Sequence, residues 1–340
     1  MQRKLLGPLL IILFCFVLIE IDGGLAEAAT LKFATPFSPR HTMQVQVFEP
    51  WGKKIEQLTH GKIQIKMFPG GALGKTPAHY SLAEQGIADI AYTLHDYTPG
   101  RFPATEVFSL PFMTPTAEKA SVAMWKLFEQ SADFRKEYSK VKVLALFCHP
   151  GGDFHTFKKE ISCLDDFRGL KFRTASPYVT EALKIFGAAP ISMPVTETYS
   201  ALEREVVDGT VVPWEGLGIF KLDNLTHFAL EADFYTMPMM VVMNKGTWES
   251  LPDDVQKIID RTTGLVMSQQ AGRVYDNTDE PFRKQALRKG IKVNTLSAND
   301  LNALKQLTKP MRAEWSLKAR LNGLDADSIL IKALQWLGIK

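Results

Sequence analysis

The residue whose chemistry most needs a reason is Arg173. It stands in "RGLKFRTASP", residues 168–177, where an apolar strand pattern runs into a helix start. A guanidinium there could be an ordinary solvated charge. It could be half of a structural ion pair with a carboxylate such as Glu215 or Asp153. It could also be a hook for a ligand carboxylate, which its planar fork meets through two parallel hydrogen bonds. Local pattern leaves the three open. His149 and His155, in "HPGGDFHTF", lie six apart beside two glycines. That is a poor spacing for metal ligands, and no acidic pair completes a site. Cys148 and Cys163 have no CxxC spacing and are too few for a cluster. They could pair in an oxidising compartment or stand as separate thiols. No GxSxG, HExxH, P-loop or GxGxxG pattern occurs, and no nucleophile has an evident activating base. The residues point to binding and not to turnover, with no metal and no cofactor.

The first residues bear on the compartment. Arg3 and Lys4 precede an apolar run from Leu5 to Ile19, and Ala26 and Ala28 follow in "GLAEAAT". This basic, apolar, small-residue order reads as a secretory leader over residues 1–28, cleaved near Ala28. The run is shorter than the roughly 20 residues a membrane span needs. Cys15 has no small residue just before it, which argues against a lipid anchor. Loss of the leader removes Arg3, Lys4, Glu20, Asp22 and Glu27 and moves the net charge from +3 to +4. The basic residues are dispersed, without interleaved aromatics, so nucleic acid is not suggested.

The elements that must position these side chains follow a strand–helix rhythm. "LKFAT" reads as a strand, and "HTMQVQVFEPWGKKIEQLTHG" as an amphipathic helix that Pro50 kinks or delays and Gly61 ends. "KIQIKMF" alternates as a strand, "PAHYSLAEQG" is a short helix, and "IADIAYTL" is another strand. A helix at "AEKASVAMWKLFEQ" and a strand at "VKVLALF" complete the first unit. The second unit begins after "HPGGD". Its strand "GLKFRTA" meets a helix capped by Ser176 with Pro177 in the first turn. "APISMP" and "TVVPW" are further strands, with a helix at "TETYSALEREVVDG" between them. "FYTMPMMVVMN" reads as one long apolar strand crossing back to the first unit, and helices fill 252–289 and 298–320. Alternating strands and helices predict α/β units with parallel sheets and a cleft at the carboxyl ends of the strands.

The order and spacing of several motifs resemble one family. They are "LKFAT", "WGKKIEQLTHGKIQIKMFPGGALG", "FSLPFM", "GLKFRT", "PISMPVTETYSALEREVVDG" and "VVMNKGTWESLPDD". Over residues 30–335 the chain resembles the DctP-type solute-binding proteins of tripartite ATP-independent periplasmic (TRAP) transporters. The resemblance implies a two-domain α/β clamp of the type II-like periplasmic-binding-protein class, with a ligand cleft and long C-terminal helices. Residues 29–150 with about 239–278 would form domain I, and 151–238 with about 279–340 domain II. It implies a periplasmic monomer that passes an organic acid to a small and a large membrane subunit. By the same matching, Arg173 meets the substrate carboxylate.

Departures from the family pattern shape the expected substrate. Many relatives carry Asn before the proline where this chain has Val211, Val212 and Pro213. Relatives that bind sugar acids carry an acidic residue near Leu94, here flanked by Thr93 and His95. Trp214, Met237, Met239 and Val195 fall near the pocket by matching. So do Phe154 and His155 in a second ligand segment, and Phe37 and Arg40 in the first loop. Such a lining suits a monocarboxylate with an apolar or aromatic body better than a sugar acid, whose buried hydroxyls would lack partners. An exported enzyme on the same scaffold would need a cleft acid–base pair. A protein presenting its ligand to a membrane sensor would need the same closed cleft.

Overall fold

A computed structural model describes residues 28–113 and 115–339. The leader read over residues 1–28 lies outside them except for Ala28. In chain order the first unit runs through β1 (Ala29–Ala34), α1 (Glu49–Leu58), β2 (Ile63–Phe68), α2 (His79–Glu84), β3 (Ile90–Leu94), α3 (Ala117–Gln130), α4 (Ala132–Lys136) and β4 (Val141–Cys148). The second contains β5 (Gly152–Thr156), β6 (Lys171–Thr174), α5 (Pro177–Ile185), β7 (Ala189–Ser192), α6 (Thr198–Glu203), β8 (Gly209–Val212), α7 (Trp214–Ile219) and β9 (Phe228–Tyr235). Then come β10 (Pro238–Asn244), α8 (Lys245–Ser250), α9 (Asp253–Thr262), α10 (Leu265–Arg288), β11 (Lys292–Thr295), α11 (Ala298–Thr308), α12 (Pro310–Leu321) and α13 (Ala326–Leu337).

Two sheets result, ordered β2-β1-β3-β10-β4 and β11-β9-β5-β8-β6-β7. Both are mixed, which corrects the all-parallel expectation. β10 runs antiparallel to β3 and β4, and β5 runs antiparallel to β8 and β9. β5 hides in the sequence because "GDFHT" looks like a turn. Its glycine is there for close approach: a Cβ on Gly152 would lie 2.1 Å from the Tyr235 ring. The run read as one crossing strand is two strands in two sheets. β9 ends at Tyr235, Thr236 and Met237 change sheets, and Pro238, with no N–H to donate, opens β10.

The expected helix over 252–289 divides at Gly264, whose φ of +67° is left-handed. The helix over 298–320 divides at Pro310. The two halves of 279–340 part company. β11 joins the second sheet, whereas α12 and α13 lie against the first unit, with the Trp315 indole donating to Pro103 O at 2.9 Å. Pro50 sits in the first turn of α1, after a short π-helical turn over Gln44–Phe48, and the chain reverses at Gly61 with φ +80°. Cys148 and Cys163 are both free thiols, Cys148 buried in the first core. Among the described residues no helix is long and apolar enough to cross a membrane.

α10 braces the two units. Three residues apart on one helical face, Asp276 accepts from the N–H groups of Ala117 and Glu118, and Asp279 accepts from Glu215 N–H. One helix therefore satisfies the free amides at the start of α3 and of α7, where negative charge is favoured.

Candidate ligand-binding site

The sheets meet at the carboxyl ends of β1, β3, β4, β6, β8 and β9, and a cavity lined from both lies between them. Leu94 and Tyr92 reach it from one face of β3, and Phe37 and His41 from the loop after β1. Arg173 enters from the end of β6, Val195 from the turn before α6, and Val212 from the end of β8. Met237, Met239 and Tyr235 come from the crossover, Glu215 from α7 and Tyr275 from α10.

Arg173 is 1% exposed. Its Nε donates to Met193 O at 3.0 Å, and its Nη2 has no partner. Neither carboxylate considered for a structural pair reaches it. Asp153 spends Oδ1 on the N–H groups of Ala232 and Asp233, and Glu215 is neighboured by Thr42 and Asp279. Burial pulls the Arg173 pKa below its ordinary value, partly offset by the hydroxyls of Tyr97 and Tyr235. The guanidinium stays charged all the same. Among the described residues no carboxylate forms a salt bridge with this buried cation, which leaves an N–H free.

The rest of the wall is aromatic or apolar, and its polar atoms are largely spent. The Tyr92 and Tyr275 hydroxyls lie 3.2 Å apart, with Tyr92 donating to Met239 Sδ at 2.9 Å. Tyr235 donates to Val211 O at 2.8 Å. His149 donates from Nδ1 to Pro150 O and accepts Met237 N–H at Nε2, 3.1 Å away. Burial lowers its pKa to about 4, so it stays neutral and pins the crossover. Glu215, 2% exposed, is the exception, because its Oε1 has no partner. Among the described residues no His, Cys, Asp and Glu cluster could hold a metal.

Of the residues read from the sequence, Arg173, Leu94, Val195, Val212, Phe37 and Met239 line the cavity, with Met237. The others lie elsewhere. Thr93 points to the opposite face of β3 from Leu94, as strand alternation requires. His95 lies in the first core, 2.6 Å from the Tyr138 hydroxyl. Phe154 packs among Phe167, Phe172 and Phe234 in the core of the second unit. His155 is behind β8, holding Val212 O at 3.1 Å with its ring edge-on to Trp214. Trp214 is buried off the cavity, one residue short of Glu215, which faces it. Arg40 is exposed. Sequence reading missed Tyr92, His41, His149, Tyr235 and Tyr275 as wall residues, and considered Glu215 only as an ion partner. Tyr92 could have been found, since it shares the period-two face of Leu94.

Comparison with known proteins agrees with this architecture. A TRAP solute-binding protein from Rhodoferax ferrireducens, solved in complex with copurified benzoate, is 34% identical with a TM-score of 0.87, over 92% of this chain and 98% of that one. A marine-metagenome TRAP solute-binding protein specific for aromatic acid ligands, from an unidentified microbe and co-crystallised with 3-hydroxybenzoate, gives 34% and 0.87 over 92% and 98%. One from Bordetella bronchiseptica with bound (R)- and (S)-mandelate gives 28% and 0.86 over 91% and 99%. The family model for bacterial extracellular solute-binding proteins, family 7, matches residues 33–318. With that match over most of its length, on a two-domain clamp with a cleft at the strand ends, the chain belongs to the DctP family of TRAP transporter solute-binding proteins.

Proposed function

We propose that this protein captures an aromatic monocarboxylate in the periplasm, after removal of its leader, and hands it unchanged to the membrane subunits of a TRAP transporter. The observation that carries the reading is the buried Arg173 with its unpartnered Nη2, set in a wall of Phe37, Tyr92, Phe220, Tyr235, Met239 and Tyr275. A charge-assisted hydrogen bond there is worth about 1.5–3 kcal/mol. A phenyl-sized body burying about 150 Å² would add about 4 kcal/mol before ordering costs. A dicarboxylate would place its second charge among groups that offer no cation. Val212 stands where an asparagine would add a carboxylate contact, and its carbonyl is already held by His155. The benzoate, 3-hydroxybenzoate and mandelate found in relatives of 28–34% identity support the same class.

The test is calorimetry on the purified protein with benzoate and mandelate against succinate and glucuronate. Benzoate or mandelate should bind and raise the melting temperature, by about 2.7 kcal/mol of stability at a hundredfold excess over Kd. Binding of succinate or glucuronate with no response to the aromatic acids would overturn the reading.

A further inference from the structure

The cavity has a second polar pole that an unsubstituted aromatic acid would leave unused. Glu215 opens α7 with its side chain on the cavity wall, buried, and with Oε1 unpartnered. Its own N–H is taken by Asp279, and among the described residues no cation pairs with its carboxyl. Thr42 lies beside the carboxyl. The residue before it, His41, also lines the cavity, stacked on Phe37 with ring centroids 4.4 Å apart. His41 Nδ1 accepts Met43 N–H at 3.2 Å, which puts the ring proton on Nε2 and makes that nitrogen a donor. Arg173 enters instead from the end of β6, held through Nε by Met193 O, whereas Glu215 stands on α7. The anchor and this pole therefore stand on different elements of the wall.

Resting on the reading of the site as one for aromatic monocarboxylates, we infer that Glu215 is a specificity-determining residue that takes the ring hydroxyl of a hydroxylated aromatic acid whose carboxylate lies on Arg173. The phenol O–H donates to the free Oε1. No proton need be transferred, because either form of the carboxyl retains an accepting oxygen. Burial, with repulsion from Asp279, raises the Glu215 pKa to about 7, so the group can be neutral or ionised in ordinary buffer and accepts in both cases. A ligand that merely fills the space leaves the acceptor orphaned. One that supplies a hydroxyl satisfies it, and sites of this kind reject the analogue lacking the group.

The experiment is calorimetry with benzoate, 3-hydroxybenzoate and 4-hydroxybenzoate on the parent, Glu215→Leu and Glu215→Gln. The readout is the ratio of affinities within each protein, in which general damage to the pocket cancels. At least one hydroxybenzoate should bind the parent about tenfold more tightly than benzoate, a difference of about 1.4 kcal/mol. Glu215→Leu should bring that ratio close to one. Glu215→Gln, whose amide oxygen also accepts, should keep most of it. Equal affinity of the parent for all three acids, as when Oε1 merely holds a water, would overturn the inference and leave the aromatic-acid reading standing. So would an undiminished ratio in Glu215→Leu. Failure of every aromatic acid to bind would instead bring down the reading beneath it, and the inference with it.

Discussion

The proposed role of Arg173 rests on two features that coincide: a guanidinium out of water, and a backbone carbonyl, Met193 O, that fixes its orientation through Nε. Arg173→Lys keeps the charge but loses that Nε bond and the planar fork. Calorimetry should show carboxylate affinity falling by about 10- to 100-fold, and Arg173→Ala should abolish it. Glu215 and Asp279, both raised to about 7, carry a pH signature. A carboxyl whose folded pKa exceeds its unfolded value binds more protons when folded at any pH between the two. Its contribution to stability therefore falls as pH rises through that window, from the ordinary 4.5 for Glu215 to about 7, and is level above it. Denaturant unfolding below and above the window should show a smaller loss of stability at the higher pH in Glu215→Gln than in the parent. Arg173 stood out in the sequence as a charge at a strand end, but its local pattern left its role open, and the carboxylate reading came from the family resemblance. Glu215 did not stand out, because nothing in "VVPWEGLGIF" says which residue of that first turn faces the cleft.

Among the elements, α10 does what no local pattern announces. A polar face carrying Asp276 and Asp279 reads as solvated surface, yet the two carboxylates hold the first turns of helices in different units. Replacing either by Ala should cost about 0.5–2 kcal/mol, as for other lost caps. Asp279→Asn should keep the accepting oxygen and remove its charge from beside Glu215, lowering the Glu215 pKa in an NMR titration. An unchanged Glu215 titration would mean that burial alone sets it. Helix and strand periodicities were readable wherever one face is apolar. They failed at β5, which is buried on both faces but short and opens on a glycine, and at the β9–β10 junction, where a mostly apolar run continues through a change of sheet. The docking of α12 and α13 on the first unit was equally hidden, because an apolar stripe does not name the surface that covers it.

At the scale of the molecule, the two units are closed on each other. Tyr178 of α5 donates to Glu106 Oε2 at 2.7 Å, Val195 N–H meets the Tyr97 hydroxyl at 3.4 Å, and Phe112 N–H donates to Phe234 O at 2.8 Å. Lys318 of α12 also reaches Glu106, at 3.1 Å, but half exposed it adds little. Tyr178→Phe removes one neutral-to-charged contact from the rim without touching the cavity wall. Stopped-flow measurements should show ligand leaving several-fold faster, with the association rate nearly unchanged. Small-angle scattering should show the ligand-bound protein more compact than the free one, as hinge closure about the segments at 149–151 and 236–237 requires. Identical profiles at saturation would count against a clamp.

The cavity described above owns no complete wall. One side belongs to the first sheet, another to the second, and the rest to α7 and α10. Part the two units and there is no emptied hole left behind, only two unrelated surfaces wet by solvent. Departure of the cargo then requires no tunnel or gate, because the room itself ceases to exist. Selection becomes a question of whether the halves can meet. An acid too bulky holds them ajar, and one too small lets them touch with atoms left facing a gap.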